Sequence, residues 1–288
     1  MKISELYRQK SCVFSIECFP PKQTANFEKL KTTLSSMAEL SPDFISVTYG
    51  AGGSAGGVST VELASFLKNE LHIEPLAHLI CMGSDKTSAK ETLAQLSKEN
   101  VHNVLALRGD VTPLRPRSAD FAHASDLMFY LRFLSPELGL AGACYPEGHP
   151  ESDTPAFDIE ALRIKQAAGA DHLITQLFFD NAKFYRFLNR MRKADLSLPV
   201  SAGVMPIVKK SQIERTIALS SASLPSEFTK MIARYQDDEQ GLWDAGIDYA
   251  VNQIRDLIEG GADGVHLYAM NNFEVAKSVY DGISDLLS

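Results

Sequence analysis

The chain has 288 residues, 45% of them hydrophobic and 22% charged, with a formal net charge of −8 at pH 7. This composition is typical of a globular protein with one large core or two smaller ones. The excess of acidic residues argues against a nucleic-acid partner, and no apolar run approaches the ~20 residues that cross a bilayer. The first residues also lack the apolar segment of a secretory signal, so we expect a cytoplasmic protein with no membrane partner.

The four cysteines are Cys12, Cys18, Cys81 and Cys144, and they form no CxxC pair. Three of them lie in strand-like runs. We therefore predict buried free thiols in a reducing compartment rather than a disulfide framework.

Short apolar runs rich in β-branched and aromatic residues alternate with helical patterns along the chain. The strand-like runs begin at Val13, Phe44, Glu74, Asn103, Leu140, His172, Pro199 and Gly264. Helical patterns lie between them at 27–37, 61–71, 93–96, 127–134, 159–166 and 184–191, and more than one helix is expected within 211–260. We expect helix N-caps at Ser59 or Thr60 and at Ser84. Most of the strand-like runs are apolar almost throughout, which is typical of parallel strands covered on both faces.

Two helix-to-strand junctions, AAGADHLITQ and EGGADGVHLY, share one pattern. Each places glycine where a helix ends in the left-handed conformation, and Ala-Asp and a strand follow. Together with eight alternating strands and helices, this repeat predicts an α/β protein with a (β/α)8 TIM barrel, a single domain over residues 1–288. An open doubly wound sheet is the alternative, although no GxGxxG follows the first strand.

In such a barrel the functional site lies at the carboxyl ends of the strands, and here those ends carry polar side chains. In chain order they are Glu17, Thr48, Tyr49, His78, Arg108, Asp110, Tyr145, Glu147, His149, Gln176 and Tyr268. Any one of them could be structural, but their convergence at one mouth predicts a functional site.

Glu17 lies within the apolar run FSIECFPP. A carboxylate is costly to bury as an anion, so we expect Glu17 to have a raised pKa and to act as a general acid. The alternative is a glutamate paired to a buried cation. Arg108 and Asp110 could pair with each other or with barrel neighbours, and His78 could be a core histidine with satisfied hydrogen bonds.

Glycines and a lysine near the strand ends suggest ligand contacts. Gly109 permits close approach of a ligand to the backbone, and Lys165, on the helix after the fifth strand, could contact a phosphate. The loop GAGGSAGGVST matches neither a Walker sequence nor a dinucleotide fingerprint, so we interpret it as a flexible barrel loop.

Six motifs, SIECFPPK, FISVTYGAGG, LAHL, LALRGD, YPEGHP and ITQLFFD, occur in this order, each at a strand end. From about Val13 to about Tyr280 the chain resembles the methylenetetrahydrofolate reductase family in its bacterial, single-domain form. The resemblance implies a (β/α)8 barrel that holds FAD non-covalently, usually in a homo-oligomer, with no resident metal. It also implies small-molecule substrates, a folate and NADH or NADPH, within one-carbon and methionine metabolism.

The resemblance further implies roles for individual residues. Glu17 matches the family's acid and Asp110 its flavin-side aspartate, which are the two catalytic positions. The family's flavin contacts match Thr48, Tyr49, Ala51, His78, Arg108, Gly109, Asp110, Ala124, Tyr145, His149, Asp158 and Lys165. Its substrate contacts match Glu17, Thr48, Asp110, Gln176, Gln212 and Tyr268.

The sequence departs from the family pattern in two places. Family members often have Asn-Arg after the eighth strand, with the arginine contacting substrate, whereas this chain has Asn271-Asn272. Some members also carry an aromatic residue near the position of Thr216. These differences concern the folate tail and the nicotinamide rather than the flavin.

The family reaction is ping-pong: the nicotinamide nucleotide reduces FAD and leaves, and 5,10-methylenetetrahydrofolate then occupies the same face of the flavin. Protonated Glu17 would donate to the departing nitrogen as the five-membered ring opens, and Asp110 would stabilise the iminium cation.

Two other functions remain open from the residues alone. One is a metal-dependent aldolase or hydrolase, with ligands drawn from His78, Cys81, Glu147 and His149. The other is a non-catalytic barrel that binds a ligand or a partner. No compact ligand motif supports the first, and the second leaves a buried Glu17 without a purpose.

Overall fold

Eight parallel strands close into a barrel in chain order, with the first strand hydrogen-bonded to the eighth. This computed structural model describes residues 1–21, 23–49, 58–113, 115–213, 216 and 222–287. The strands are β1 (Val13–Cys18), β2 (Phe44–Val47), β3 (Glu74–Ile80), β4 (Asn103–Leu107), β5 (Gly139–Cys144), β6 (His172–Thr175), β7 (Val200–Val204) and β8 (Gly264–Leu267). The predicted TIM barrel is confirmed, and the open doubly wound alternative is wrong.

One helix precedes the first strand, and helices after the strands cover the outside of the barrel. They are α1 (Ile3–Gln9), α2 (Phe27–Ala38), α3 (Thr60–Ser65), α4 (Lys86–Lys98), α5 (Ala124–Leu134), α6 (Pro155–Ala167), α7 (Asn181–Lys193), α8 (Ser226–Tyr235), α9 (Glu239–Glu259) and α10 (Phe273–Asp281). A π-helical turn, Phe66–Glu70, continues α3, and short 3₁₀ turns lie at Thr24–Asn26 and Ser284–Leu286. Helices α8 and α9 confirm that the segment 211–260 contains more than one helix.

Alternation along β1 shows why strands that are apolar in sequence can still carry a site. Phe14 faces outward and packs against the ring of Tyr280, with 5.8 Å between centroids. Ser15 faces inward, where its hydroxyl lies 2.7 Å from Nδ1 of His266. Because successive side chains point to opposite faces of a strand, Glu17 also faces the interior.

The repeated Gly-Ala-Asp junctions have one structural purpose. Gly169 and Gly261 adopt φ values of 99° and 81°, in the left-handed region that glycine accepts readily. The aspartate that follows then accepts a hydrogen bond from the neighbouring strand: Asp171 from the Leu140 amide at 2.8 Å, and Asp263 from the first amide of β7 at 2.9 Å. The repeat therefore fastens strand starts at the amino end of the barrel, opposite the predicted site.

Helix α1 closes this amino end. Ile3 and Leu6 are buried there and pack with the inward-facing apolar residues of the strands. Just above, the His172 ring lies against Tyr7 and Phe44, with centroids 5.3 and 6.2 Å apart. Neither ring nitrogen of His172 has a hydrogen-bond partner among the described residues. Burial lowers the pKa of His172 to about 4, so the ring is neutral at pH 7.

The local predictions have mixed outcomes. Ser59 caps α3 in a reciprocal capping box with Glu62, as expected. The cap predicted at Ser84 is wrong, because the Asp85 side chain accepts from the third amide of α4 and a carboxylate caps well. The four cysteines are buried and free, as predicted. Within the described residues, no helix combines the length and apolarity that crossing a membrane requires.

We predict that His172→Leu makes the protein less sensitive to acid. The native pKa of about 4 lies below the ordinary value of 6.5, so the unfolded state binds the proton first. Stability is therefore complete above about pH 6.5 and is lost as pH falls toward 4. Removing the imidazole should reduce that loss by up to about 3 kcal/mol, measured by urea unfolding at pH 7 and pH 4.5.

His78 has a similar shift, so part of the acid sensitivity should persist in the variant. The control is His102→Leu, which removes an exposed imidazole and should leave the pH dependence unchanged. An identical loss of stability in wild type and His172→Leu would contradict the assignment.

Candidate functional site

A carboxylate lies between two imidazoles at the carboxyl end of the barrel. Glu17 is the penultimate residue of β1, and the outward-facing Ile16 and Cys18 beside it are fully buried. Its Oε2 atom lies 3.9 Å from Nε2 of His78 and 3.9 Å from Nε2 of His266, and its side chain is 21% exposed. Glu17 is thus accessible from the mouth while its sides are enclosed by protein.

The two imidazoles differ in their hydrogen bonding. His266 is held by the Ser15 hydroxyl at 2.7 Å and the Ser46 hydroxyl at 3.2 Å. Nε2 of His78 is buried and has no hydrogen-bond partner among the described residues. His78 is therefore not a core histidine with satisfied hydrogen bonds, which is the structural alternative for this residue. Burial lowers the pKa of His78 to about 4, which leaves it neutral at pH 7. His78 is therefore not a buried cation paired to Glu17.

Tyr268 borders the carboxylate on the β8 side. Its hydroxyl donates to the Thr175 carbonyl at 2.8 Å, and its ring meets His266 edge-on with centroids 5.2 Å apart. A Cβ on Gly203 would lie 2.7 Å from this ring, so β7 must have glycine there. Burial first, and then the charge of Glu17, raise the pKa of the Tyr268 hydroxyl, which keeps it a donor.

A cavity of about 340 Å³ opens beside this mouth, between the ends of β4 and β5 and helices α5 and α6. Its walls are largely apolar, with cationic and hydrogen-bonding groups at separate points. Six of the predicted cofactor residues line it: Arg108, Ala124, Tyr145, His149, Asp158 and Lys165. Residues that are up to 57 positions apart in sequence thus line one cavity.

Lys165 reaches the cavity across the outer face of β5. Its Nζ donates to the Ala143 carbonyl at 2.6 Å, and burial lowers its pKa. A Cβ on Gly142 would lie 2.9 Å from Cε of Met128 and 3.4 Å from Cδ of Lys165. The glycine therefore provides the space in which the lysine side chain lies.

The turn after β5 is held from within. The rings of Tyr145 and His149 pack edge to face at 4.7 Å. Asp158 accepts from the His149 amide at 3.2 Å and from the Ser152 hydroxyl at 2.7 Å. Nδ1 of His149 accepts from the Glu151 amide at 3.0 Å, which leaves Nε2 to carry the proton. Asp158, predicted as a flavin contact, fixes this turn.

The Arg108-Gly109-Asp110 segment that ends β4 does not form an internal ion pair. The Arg108 guanidinium binds the carboxylate of Glu151 through both terminal nitrogens, at 2.5 and 2.8 Å. Asp110 is exposed at the rim. Gly109 has φ of +78°, and a Cβ there would lie 3.1 Å from Cβ of Ile80, so the turn requires glycine.

Two further predicted contacts, Thr48 and Tyr49, directly follow β2. The Thr48 carbonyl accepts from the Thr60 hydroxyl at 3.1 Å, and the Tyr49 ring lies 5.3 Å from the guanidinium carbon of Arg115. Ala51 lies outside the described residues.

Both predicted glutamines fold back onto their own backbone. The side-chain oxygen of Gln176 accepts from the Leu177 amide at 2.9 Å, and that of Gln212 accepts from the Val208 amide at 3.0 Å. Each retains its amide nitrogen as a donor toward solvent or ligand. Thr216 is buried. It marks the position near which some family members carry an aromatic residue.

Asn271 and Asn272, which depart from the family pattern, both have structural partners. Asn271 exchanges hydrogen bonds with the backbone of Phe19 at 3.1 and 2.9 Å. Asn272 caps α10 by accepting from the amides of Glu274 and Val275. The pair therefore joins the end of β1 to the start of the last helix.

Sequence reasoning missed several residues of the cavity. Glu151, His123, Phe157 and Ile164 all line it, and Phe157 and Ile164 are 60% and 50% exposed. The sequence carried a signal for this surface, because apolar residues such as Phe157 and Ile164 recur at helical spacing in α6. In the structure, Leu162 is the only buried residue among the described residues of α6. An apolar face on a helix that does not join the core indicates a second contact surface.

Glu147 links the turn after β5 to other loops. One carboxylate oxygen accepts from the Ser223 amide at 3.0 Å, and the other lies 3.7 Å from Nζ of Lys183 at the start of α7. The Glu147 side chain is only 15% exposed. It is therefore a brace between loops rather than a free ligand. Within the described ranges, no three His, Cys, Asp or Glu side chains are grouped to hold a metal ion.

Comparison with known proteins gives a consistent picture. A family model described as methylenetetrahydrofolate reductase matches residues 2–284. Methylenetetrahydrofolate reductase (NADH) 1 of Arabidopsis thaliana is 31% identical over 284 residues, covering 94% of this chain and 48% of the plant protein. The 5,10-methylenetetrahydrofolate reductase of Escherichia coli is 27% identical over 265 residues, covering 92% of this chain and 88% of that protein. This chain thus spans about half the length of the plant relatives it matches.

A solved structure supports the fold. An uncharacterised Clostridium thermocellum protein, described as binding two copies of 5-methyl-5,6,7,8-tetrahydrofolic acid, superposes with a TM-score of 0.71. The match covers 99% of this chain and 98% of the other at 13% sequence identity. At that identity the likeness shows the barrel fold alone.

We predict that Glu147→Ala loosens the segment after β7. Loss of the carboxylate frees the Ser223 amide, and hydrogen bonds to charged groups contribute about 1.5 kcal/mol or more. Amide hydrogen exchange in a peptide covering 222–226 should accelerate by roughly tenfold. Glu137→Ala, at a carboxylate that is 93% exposed, is the control. Unchanged exchange in the Glu147 variant would show that the brace is unimportant.

Proposed function

This chain belongs to the methylenetetrahydrofolate reductase family, and on that basis we propose that it reduces 5,10-methylenetetrahydrofolate to 5-methyltetrahydrofolate with NADH or NADPH. The observation that carries the proposal is the position of Glu17 at the barrel mouth, at the same end of the barrel as the cavity lined by Arg108, Tyr145 and Lys165. An acid for the folate and a compartment for a nucleotide then share that end. The family is one of reductases, which favours this function over a metal-dependent aldolase or hydrolase.

The lining of the cavity fits a flavin nucleotide such as FAD, bound non-covalently. Cationic groups for a pyrophosphate come from Arg108 and Lys165, a carboxylate for ribose hydroxyls comes from Asp158, and apolar walls suit an adenine ring. When bound, FAD supplies two-electron hydride chemistry, accepting from the nicotinamide and donating to the folate. Thr48, Tyr49, Ala51, His78, Gly109, Ala124, Tyr145 and His149 complete the proposed cofactor contacts.

Glu17 would serve as the acid for the folate. In its protonated form it donates to the nitrogen that leaves when the five-membered ring opens. Nearby groups suit this role, because the adjacent His78 is neutral at pH 7 and adds no positive charge beside the carboxyl group. The Tyr268 hydroxyl, already committed to the Thr175 carbonyl, leaves Glu17 as the proton donor.

Asp110 would act through its negative charge rather than by transferring a proton. It lies at the exposed rim, after the Gly109 turn, where a carboxylate could face a bound pterin. An anion there stabilises the cationic iminium that forms when the ring opens. Gln176, Gln212, Tyr268 and Thr48 are the further proposed substrate contacts.

The assembly and setting of the enzyme are also part of the proposal. Four buried free thiols suit a reducing cytoplasm. A homo-oligomer would fit the exposed apolar residues Phe129 and Phe133 on α5, which are 69% and 76% exposed. Neither nucleic acid nor membrane is proposed as a partner.

The experiment that tests the function is an anaerobic visible spectrum of the FAD-supplemented protein before and after NADH or NADPH. Flavin bands should bleach with the nicotinamide nucleotide and recover when methylenetetrahydrofolate is added. Bleaching without recovery would contradict the assignment of the folate as substrate. Protein that retains no flavin would contradict the assignment as a flavoenzyme.

We predict that Glu17→Gln keeps flavin reduction by NADH but slows folate turnover by about 100-fold or more, because the amide cannot donate an acidic proton. Stopped-flow absorbance measures the two half-reactions separately. Bound flavin content serves as the control for folding. Retained folate turnover would show that another group is the acid.

We predict that Asp110→Asn slows the folate half-reaction by roughly tenfold or more, because the iminium loses its stabilising anion. NADH oxidation should change much less. The same stopped-flow assay compares the two rates, and an equal loss in both would remove this role from Asp110.

A further inference from the structure

The guanidinium of Arg108 is bound by a side chain from another loop of its own cavity. Both terminal nitrogens of Arg108 donate to the two carboxylate oxygens of Glu151, at 2.5 and 2.8 Å. Both residues line the cavity. Arg108 is 26% exposed and Glu151 62% exposed, so the carboxylate approaches from the solvent side and covers the cation.

This contact uses the same edge of Arg108 that an oxyanion would need. The guanidinium fork binds carboxylates and phosphates through paired parallel hydrogen bonds, so one such partner excludes another from that edge. The hydrogen bonds from Arg108 hold the pKa of Glu151 well below its usual range, and Glu151 is an anion at neutral pH. The other cation of the cavity, Lys165, is hydrogen-bonded to the Ala143 carbonyl.

Glu151 is attached where it can move without unfolding the barrel. It lies after β5, in the turn that begins at Tyr145, and its amide donates to Nδ1 of His149 at 3.0 Å. The Glu151 backbone is thus anchored while its side chain is mostly in solvent. A rotation about its side-chain torsions would release Arg108 without breaking a strand or helix hydrogen bond.

We propose that Glu151 is an internal competitor for the anion-binding edge of Arg108, and that a pyrophosphate-bearing nucleotide enters the cavity by displacing this carboxylate. The inference rests on the proposed function in taking FAD as that nucleotide. Glu151 then sets how tightly the cofactor is held, and the Arg108–Glu151 pair closes the site against weaker anions.

The test compares nucleotide affinities of wild type, Glu151→Gln and Glu151→Ala. Dissociation constants are measured for FAD by quenching of flavin fluorescence and for ADP by titration calorimetry, both at fixed salt. Removing the competing carboxylate should tighten both ligands by roughly tenfold. Asp153→Asn removes one negative charge from the same exposed segment and should change affinity by less than about twofold.

A second background separates competition from general electrostatics. The Arg108→Gln variant has no guanidinium for which Glu151 can compete. Adding Glu151→Gln to that variant should therefore not tighten nucleotide binding. Unchanged or weaker binding of ADP and FAD in the Glu151 variants, or equal tightening by Asp153→Asn, would overturn the proposal. Tightened ADP binding in a protein that binds no FAD would support the competition and reject the flavin function.

Discussion

The interior of a closed barrel must be filled by the side chains that its strands direct inward, and the rest of this structure depends on how that is done. At the carboxyl end the inward positions hold Glu17, His78 and His266, with 3.9 Å between the carboxylate and each imidazole. Burial keeps His78 neutral at pH 7, so the carboxylate is enclosed by polar groups without being neutralised by that ring. The carboxylate of Glu17 and the ring of His78 therefore do not form a simple ion pair.

The two ends of the barrel carry different tasks. At the amino end, aspartates such as Asp171 and Asp263 fasten neighbouring strands, and α1 closes the bottom with apolar residues. At the carboxyl end, polar groups are linked across loops, as Glu147 links Ser223 and Lys183. In this fold the amino end of the barrel commonly serves stability and the carboxyl end carries the functional site.

Several local features could be read from the chain before the structure was known. The alternating strands, the Ser59 cap and the paired Gly-Ala-Asp junctions depend on backbone preference and period, which are properties of neighbouring residues. The prediction of Ser84 as the cap of α4 is wrong by one position, because Ser84 and Asp85 both carry an oxygen that can cap and the structure uses Asp85. The walls of the cavity are predicted only in part, since Phe157 and Ile164 are exposed on a helix that buries Leu162 in the core.

The sequence by itself determined the barrel class, the end of the barrel at which polar residues gather, and the family, because these follow from periodicity and from ordered motifs along one strand after another. Only the tertiary structure decided which side chains contact each other. The sequence left open whether Arg108 pairs with Asp110 or with a barrel neighbour, and the structure pairs it with Glu151, 43 residues away. Asp158 serves the turn before it, and Lys165 crosses β5 to reach its carbonyl. Such contacts depend on which loops the closed barrel brings together, and separation along the chain does not encode that distance.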